Sequence, residues 1–246
     1  MPVFPALYNL MVLDGCVMLT DRDNFLYHEM IAHPALFTHQ APRRVVIIGG
    51  GDCGTLKEVL RHPGVEHVTQ IDIDEEVTKA AERFFPALVE ANDDPRAALL
   101  FADGVKWVDA AEDGSIDVLI IDSTDPVGPA EGLFKTDFLT RCHRILAPGG
   151  VMVQQSESPL YHSATIIREL RRDMREAGFD SVATLPFPQP VYPSGWWSVT
   201  LAGKACDVKQ FRVEAASQHA MPLSYYTVEA HRGALALPPF MQKALD

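Results

Sequence analysis

Short apolar runs alternate with amphipathic stretches along most of this 246-residue chain. The runs that predict strands lie at 44–48, 67–71, 97–101, 116–121, 151–155, 181–185 and 197–201. The stretches that predict helices lie at 55–61, 75–84, 105–110, 135–146 and 163–177. Strands that are apolar throughout and separated by helices are typical of a parallel sheet covered on both faces. The pattern therefore predicts a doubly wound, Rossmann-like α/β fold, and the last two strands, which have no helix between them, are expected to form an antiparallel edge.

A smaller unit is predicted ahead of this sheet. Residues 10–13 and 16–19 are mostly apolar and flank Asp14-Gly15, a dipeptide that tight two-residue turns favour, so they predict a β-hairpin. The polar residues at 20–23 are of types that cap helices, and they predict a helix over 24–36.

Composition narrows the classes of function. The formal net charge is −12, with 21 Lys and Arg against 33 Asp and Glu. This balance argues against a nucleic-acid binder, since phosphate contacts need clustered cations. An acidic surface attracts a cationic ligand, although acidity that serves only solubility explains the same charge. Apolar stretches such as 118–121 are far shorter than the ~20 residues that span a bilayer, so no membrane association is expected.

The N-terminus and the cysteines indicate a cytoplasmic protein. No basic residue precedes the first apolar positions and no small-residue cleavage site follows them, so a secretory signal is not expected. Cys16, Cys53, Cys142 and Cys206 form no C-x-x-C pair and lie far apart in sequence. This spacing fits reduced thiols better than a disulfide or zinc framework.

A glycine-rich loop follows the first predicted strand of the sheet. Gly49, Gly50, Gly51 and Gly54 satisfy G-x-G-x-x-G and open a predicted helix, which is the context a nucleotide fingerprint requires. Asp72 ends the next strand about 20 residues later, where a carboxylate can accept from both hydroxyls of a ribose. Together these residues predict a nucleoside site. The alternative is that the glycines serve only a tight turn, in which case the position of Asp72 about 20 residues later would be a coincidence.

Asp52 lies inside this loop, where a dinucleotide would place its pyrophosphate on the helix N-terminus. Two like charges 4 Å apart repel by about 1 kcal/mol in water and by about 4 kcal/mol at an effective dielectric near 20. A negative ligand is therefore disfavoured. Asp52 is expected to hold an ammonium group of the ligand, with a purely local role at the helix dipole as the alternative.

Further acidic residues end later strands and should reach the same carboxyl edge of the sheet. Asp103, followed by Gly104, could accept from an adenine amino group, although an Asp before a helix is more often an N-cap. Asp122 and Asp125 follow the fourth strand in a loop stiffened by two prolines, and two fixed carboxylates bind a cation. A divalent metal and a purely turn-stabilising role are the alternatives. The lack of a nearby His in this stretch favours an amine over a metal.

Several strings of residues resemble the spermidine synthases, the polyamine aminopropyltransferases. They are TDRDNFLYHEM from Thr20, GGGDCG from Gly49, DSTDPVGPAEGLF from Asp122, QQSE from Gln154, YPSG from Tyr192 and the tail ALALPPFMQKAL. The similarity runs from about residue 8 to the end of the chain. The family fold is an N-terminal β-domain followed by a methyltransferase-like Rossmann domain. The resemblance thus implies a shortened N-terminal β-domain at 1–22 and an aminopropyltransferase catalytic domain at 23–246.

The resemblance also implies an activity: transfer of the aminopropyl group of decarboxylated S-adenosylmethionine to putrescine, giving spermidine and methylthioadenosine. It implies no metal and no cofactor beyond that co-substrate. Asp122 matches the catalytic carboxylate. Donor contacts are implied for Asp72 at the ribose, Asp103 and Gly104 at the adenine, and Pro129 in the thioadenosine pocket. Ligands of the substrate amines are implied at His28, Asp52 and Asp125, and residues around the attacking amine at Tyr27, Gln155 and Tyr192. Ser123 and Thr124 lie in the same motif and are expected to contact substrate.

The implied reaction needs a neutral amine. An alkylamine with a lysine-like pKa of about 10.4 loses its proton at pH 7 at a cost of about 4.6 kcal/mol. Asp122 is expected to accept that proton, directly or through Tyr27, and crowding by Asp125 together with partial burial is expected to raise the pKa of Asp122. Asp52 is expected to reject ordinary S-adenosylmethionine, whose carboxylate would approach it.

The sequence departs from the family at two site positions. Asp72 replaces the usual Glu, and Cys53 replaces the usual Gly and is expected to add a small side chain beside the donor. Most of the family's N-terminal β-domain, including a Gln that contacts the nucleoside, is also missing from the match. Two other functions stay open: a non-catalytic binder of polyamine or methylthioadenosine, and a methyltransferase using ordinary S-adenosylmethionine. The family often forms homodimers or homotetramers, and the same is expected here.

Overall fold

The computed structural model describes residues 8–126 and 128–245. The start of the expected N-terminal unit, before residue 8, lies outside this description, as do the side chains of residues 128 and 129. Strand β1 (Leu10–Leu13) pairs antiparallel with β2 (Cys16–Thr20). Asp14 and Gly15 between them have φ angles of 50° and 86°. Positive φ at both central turn positions matches the twist of paired strands, and the predicted hairpin is confirmed.

Seven strands form the main sheet. They are β3 (Arg44–Gly49), β4 (His67–Asp72), β5 (Ala97–Phe101), β6 (Ile116–Asp122), β7 (Leu146–Gln155), β8 (Ser181–Pro188) and β9 (Trp196–Gly203). Their order across the sheet is β5-β4-β3-β6-β7-β9-β8. Strands β3 to β7 run parallel, whereas β9 is antiparallel to β7 and β8 is antiparallel to β9. The Rossmann-like α/β fold and its antiparallel edge are confirmed, and the order reverses between β3 and β6, where such sheets bind ligands.

Helices surround this sheet. They are α1 (Asn24–Thr38), α2 (Gly54–Leu60), α3 (Glu75–Phe84), α4 (Gly104–Ala110), α5 (Thr136–Ile145), α6 (Pro159–His162), α7 (Arg168–Glu176), α8 (Val213–Gln218), α9 (Val228–Leu235) and α10 (Pro239–Leu245). A 3-10 helix spans Gly128–Phe134 and a π-helical turn spans Ser163–Ile167. The helix predicted over 163–177 is present, but helical structure begins earlier, at Pro159, and residues 163–167 form a π-helical turn in place of a regular α-helix. The Ser163 hydroxyl donates to the carbonyl of Pro159, four residues back, and such bonds accompany irregular helical turns.

Strand β7 begins at Leu146, not at residue 151 as predicted. Leu146 pairs with Ile116, and the register then slips to pair Val118 with Val151. The Pro-Gly-Gly stretch between them is an irregularity inside the strand, not the turn that its composition favours.

Strand side chains alternate between two hydrophobic cores, one on each face of the sheet. Ile47 and Ile120 belong to the core beneath α1, whereas Ile48 and Ile121 belong to the core beneath α5. Helix α1 is buried along most of its length because it contacts the sheet, α2 and α8. Within residues 8–126 and 128–245, no helix is long and apolar enough to cross a membrane.

Glu29 fastens the C-terminal segment to α1. Its buried carboxylate accepts hydrogen bonds from the backbone N–H groups of Ser224, Tyr225 and Tyr226 at 2.7–2.8 Å. Three such donors compensate a charge that would otherwise be costly to bury. Because Glu29 follows Tyr27 and His28 directly, this contact also holds the site end of α1 in place.

Candidate active site

The loop between β3 and α2 lies against the end of β6. Gly49 and Gly50 have φ angles of 85° and 70°, a region that favours glycine. The Gly50 N–H donates to the backbone carbonyl of Asp122 at 2.9 Å, and a Cβ on Gly49 would lie 2.1 Å from the same oxygen. The loop therefore needs glycine at these positions in order to lie against Asp122.

Gly51 and Gly54 leave room for two predicted site residues. A Cβ on Gly51 would lie 2.8 Å from Asp72 Oδ2. A Cβ on Gly54 would lie 2.2 Å from the Cε1 atom of the His28 ring. Both positions are thus glycine because side chains from β4 and α1 occupy the space.

Asp122 is the last residue of β6 and lies opposite Gly49 in the parallel register. Its Oδ1 accepts from the Tyr27 hydroxyl and its Oδ2 accepts from the Thr55 hydroxyl, both at 2.6 Å. Burial raises the pKa of Asp122 to about 6, the charge of Asp52 adds to the rise, and the two hydroxyl hydrogen bonds oppose it. The carboxyl is ionised at neutral pH and is a stronger base than an ordinary Asp.

The neighbour that raises the pKa of Asp122 is not the one predicted. The sequence suggested Asp125, but the carboxylate that acts on Asp122 is Asp52, across the glycine loop. Asp125 instead raises the pKa of Glu157. The reason is that the chain leaves β6 without helical structure after Asp122, so three residues carry Asp125 into a neighbouring cavity.

Asp52 and His28 form a pair beside Asp122. Asp52 Oδ1 accepts from the Gly54 N–H at 2.7 Å and lies 3.2 Å from His28 Nε2. Burial lowers the pKa of His28, but the charge and hydrogen bond of Asp52 outweigh it, and the pKa is raised overall. Asp52 thus has the local role considered as an alternative and also lines the cavity next to Asp122.

Three adjoining cavities meet at Ser123 and Thr124, which line all of them. We name them the Asp72 cavity, lined by Asp72 and Asp103, the central cavity, lined by Asp52 and His28, and the Asp125 cavity, lined by Asp125 and Gln155. Asp122 lines the first two. Tyr27 and Tyr192 line the last two.

The Asp72 cavity lies at the ends of β4 and β6. Burial raises the pKa of Asp72, against the opposing hydrogen bonds from the backbone of Asp74 and Gly51. Asp103 and Gly104 also line this cavity. However, Asp103 Oδ1 caps α4 by accepting from Val105 and Lys106 N–H, and its Oδ2 lies 3.2 Å from Lys106 Nζ. The structure therefore gives Asp103 the capping role that was weighed against an adenine contact.

The Asp125 cavity has aromatic walls and polar side chains. Tyr192 packs edge-on against Tyr27 and Trp197, with ring centroids 6.1 Å and 4.6 Å apart, and its hydroxyl donates to the carbonyl of Met18 at 2.6 Å. Gln155 Nε2 donates to the carbonyl of Thr124 at 3.2 Å. The hairpin, the strand ends and the β8–β9 loop together enclose this space.

Cys53 and Pro129 were also expected to lie near the donor. Cys53 has a φ of 67°, which the family's usual glycine accommodates easily, and its side chain is fully buried. Its thiol lies 3.5 Å from Gln70 Nε2, and Cys53 lines none of the three cavities. The side chain of Pro129 lies outside the described part of the chain.

The sequence reasoning missed Thr55, which contacts Asp122, and Glu157, which lies beside Asp125 but lines none of the three cavities. Thr55 is in the first turn of α2, where a hydroxyl carries no distinctive signal. Glu157 follows β7 at the edge that binds ligands, which was an available signal. Burial raises the pKa of Glu157 to about 8, with the charge of Asp125 adding to it. Its Oε1 is buried and accepts no hydrogen bond from the described residues.

Among residues 8–126 and 128–245, no group of three or more His, Cys, Asp or Glu side chains could hold a metal ion. The Asp122 carboxylate accepts a hydroxyl hydrogen bond on each oxygen, which fixes its orientation.

The fold and the crevice at its switch point define a Rossmann-like α/β protein that binds its ligand beyond the carboxyl ends of the sheet strands. The sequence profile of the spermine/spermidine synthase domain matches residues 24–211. The polyamine aminopropyltransferases of Methylococcus capsulatus and Alkalilimnicola ehrlichii are each 60% identical over 236 residues, covering 96% of this chain and 82% of theirs. The chain therefore belongs to the spermine/spermidine synthase family.

Solved structures agree with this assignment. A spermidine synthase in complex with the transition-state analogue AdoDATO is 38% identical with a TM-score of 0.91, over 96% of this chain and 80% of that one. Spermidine synthase from Thermotoga maritima is 38% identical with a TM-score of 0.89, over 96% and 79%. The resemblance carried by the sequence motifs is thus confirmed.

Proposed function

We propose that this chain transfers the aminopropyl group of decarboxylated S-adenosylmethionine to putrescine, giving spermidine and methylthioadenosine. The observation that carries the proposal is Asp122. Its carboxylate lies between the Asp72 and central cavities, has a raised pKa and is held by the hydroxyls of Tyr27 and Thr55. A nucleoside on one side and an amine on the other would both reach it.

The donor is proposed to bind through its nucleoside in the Asp72 cavity and through its ammonium in the central cavity. Asp72 would accept from the ribose hydroxyls, while Gly104 and Asp103 would line the adenine end. Asp52, whose carboxylate is held in place by His28, would bind the ammonium. The carboxylate of ordinary S-adenosylmethionine would meet Asp52 and Asp122 instead, which disfavours methyl transfer.

The acceptor is proposed to lie in the Asp125 cavity with one amine directed past Tyr27, which lines the Asp125 and central cavities, toward Asp122. The lone pair of that nitrogen attacks the propyl carbon bonded to the sulfonium, the carbon–sulfur bond breaks, and its electron pair stays on sulfur to give the thioether. The proton released by nitrogen goes to Asp122. Burial and the charge of Asp122 raise the pKa of Tyr27 well above its ordinary value, so its hydroxyl stays protonated and keeps the carboxylate aligned.

The far amine of the diamine is proposed to be charged and to bind at Asp125, beside which Glu157 is buried. Gln155 and Tyr192 would line the methylene chain and the attacking amine. Glu157 is buried beside Asp125, and an alkylammonium at Asp125 would offset the repulsion between the two carboxyl groups. Ser123 and Thr124 would form the wall shared by both substrates.

The test is direct. The protein is incubated with decarboxylated S-adenosylmethionine and putrescine, and methylthioadenosine and spermidine are measured by mass spectrometry. Formation of both in equal amounts is expected. Methylated amine and S-adenosylhomocysteine formed from ordinary S-adenosylmethionine would support the methyltransferase alternative. Binding of methylthioadenosine without turnover would support the non-catalytic alternative.

The remaining expectations stay predictions. They are a reaction without metal or further cofactor, a cytoplasmic location, a division of the chain at residue 22, and a homodimer or homotetramer. Activity in the presence of a chelator tests the first. Light scattering of the purified protein measures the assembly.

A further inference from the structure

Gln189 lies in the β8–β9 loop with its side chain almost wholly buried, at 1% exposure, and it lines the central cavity. Its Oε1 is buried and accepts no hydrogen bond from the described residues. A buried polar atom without a partner is destabilising and rare in native proteins. This amide therefore needs a partner that the described part of the chain does not supply.

Other buried amides with an unpartnered carbonyl oxygen provide the comparison. Gln70, Asn92 and Gln154 share this feature among the described residues, but none of them lines any of the three cavities. Gln189 alone among these four combines the unpartnered oxygen with a place in the active-site crevice. The combination indicates a ligand group as the partner.

The loop that carries Gln189 is held firmly. The Gln189 N–H donates to the carbonyl of Gly195 at 2.9 Å, and its own carbonyl accepts from the Tyr192 N–H at 3.1 Å. Asp23 Oδ2 accepts from the Val191 N–H at 2.9 Å, which ties the loop to the start of α1. An amide on such a loop is preorganised for one ligand position.

We propose that Gln189 accepts a hydrogen bond from the terminal ammonium of the donor's aminopropyl chain. The proposal rests on the proposed function. Gln189 lines the central cavity together with Asp52 and His28, and it does not line the Asp125 cavity proposed for the acceptor. An ammonium has three N–H donors, so Asp52 alone leaves others unmatched. An amide oxygen serves one of them without adding a third negative charge beside Asp52 and Asp122.

The test compares two ligands that differ in the amine. Decarboxylated S-adenosylmethionine carries the aminopropyl ammonium, whereas methylthioadenosine has the same nucleoside and no amine. Isothermal titration calorimetry measures both with the wild type, with Gln189→Met, which keeps the length and removes the acceptor, and with Gln189→Glu, which keeps an acceptor. Gln154→Met is the matched control, because it removes a buried amide outside the cavities.

Gln189→Met is expected to raise the Kd of the decarboxylated donor about tenfold, or about 1.4 kcal/mol, and to leave that of methylthioadenosine within twofold. Gln189→Glu should bind the donor at least as well as wild type, and Gln154→Met should bind both ligands normally. Equal weakening of both ligands, an unchanged donor Kd, or a raised KM for putrescine alone would overturn the proposal. Turnover by the wild type tests the proposed function separately, because it does not depend on any Gln189 variant.

Discussion

Replacing Asp122 with Asn removes the proposed base and keeps the side-chain shape. The Asn oxygen can still accept from one hydroxyl. Its amide N–H can donate to the other, because the Tyr27 and Thr55 hydroxyls can turn to accept. The substitution therefore tests charge and proton acceptance more than packing.

The magnitude follows from the pKa of Asp122. With that pKa at about 6, proton transfer from an amine near 10.4 is uphill by about 4 pKa units, or about 6 kcal/mol. An ordinary Asp would face about 9 kcal/mol, so the site makes the transfer easier by about 3 kcal/mol. General-base catalysis typically contributes 10²- to 10⁴-fold. We expect kcat of the Asp122→Asn variant to fall by about that range.

The assay is methylthioadenosine formation at saturating concentrations of both substrates, with the donor Kd measured by calorimetry. The donor Kd is expected to change by less than about tenfold, since Asp52 keeps its charge. Asp125→Asn is the matched control and should raise the KM for putrescine more than it lowers kcat. A kcat of Asp122→Asn within tenfold of wild type would refute the base role. A Kd increase as large as the kcat loss would show that Asp122 mainly binds the donor.

The same variant should be more stable than wild type at high pH. The folded-state pKa of Asp122 is raised above 3.8, so the folded state binds a proton more tightly and wild-type stability falls as pH rises from about 4 to 6. At pH 8 the full effect amounts to about 3 kcal/mol, and Asn removes it. Urea denaturation should show that the variant has a higher free energy of unfolding than wild type at pH 8 and that this difference disappears near pH 4. An equal difference at both pH values would contradict the proposed dependence on the pKa of Asp122.

Three further substitutions test the surroundings of the site. Thr55→Val removes a hydrogen bond that lowers the pKa of Asp122. The acidic side of the profile of kcat/KM against pH should therefore shift to higher pH by about one unit, and an unchanged profile would contradict the contact. Gly54→Ala would place its Cβ 2.2 Å from His28, and calorimetry should show a donor Kd at least about tenfold higher; normal binding would mean that the loop adapts. Glu29→Gln removes the charge that accepts from three backbone N–H groups, and a urea midpoint shift worth about 3 kcal/mol is expected, with an unchanged midpoint as the contrary result.

The sheet and the grouping of the acidic residues could be predicted because both depend on local patterns. Apolar strands separated by helices predict parallel pairing, and residues that end parallel strands meet at one edge. Asp72 and Asp122 were placed correctly by this rule. The glycine pattern placed Asp52 across from Asp122 without any tertiary information.

Features that depend on long-range contacts could not be predicted. The start of β7 is fixed by the pairing of Leu146 with Ile116, which overrides the turn signal of a Pro-Gly-Gly stretch. Thr55 became a site residue only because α2 starts beside the end of β6. The identity of the carboxylate that raises the pKa of Asp122 depends on distance in space, so the neighbour in sequence, Asp125, was the wrong choice.

The electrostatics of the crevice suit a reaction in which positive charge moves. The donor brings a sulfonium, and the charge leaves sulfur for nitrogen as the new carbon–nitrogen bond forms. Asp122 is proposed to lie beside that nitrogen, so its attraction for the reacting atoms increases toward the transition state. The growing charge on nitrogen also makes the N–H more acidic, which brings its pKa closer to that of Asp122. Asp122 can therefore stabilise the bond-forming step by its charge before it receives the proton. Asp122→Glu separates charge stabilisation from proton acceptance, because it keeps the charge but displaces the carboxylate by one methylene.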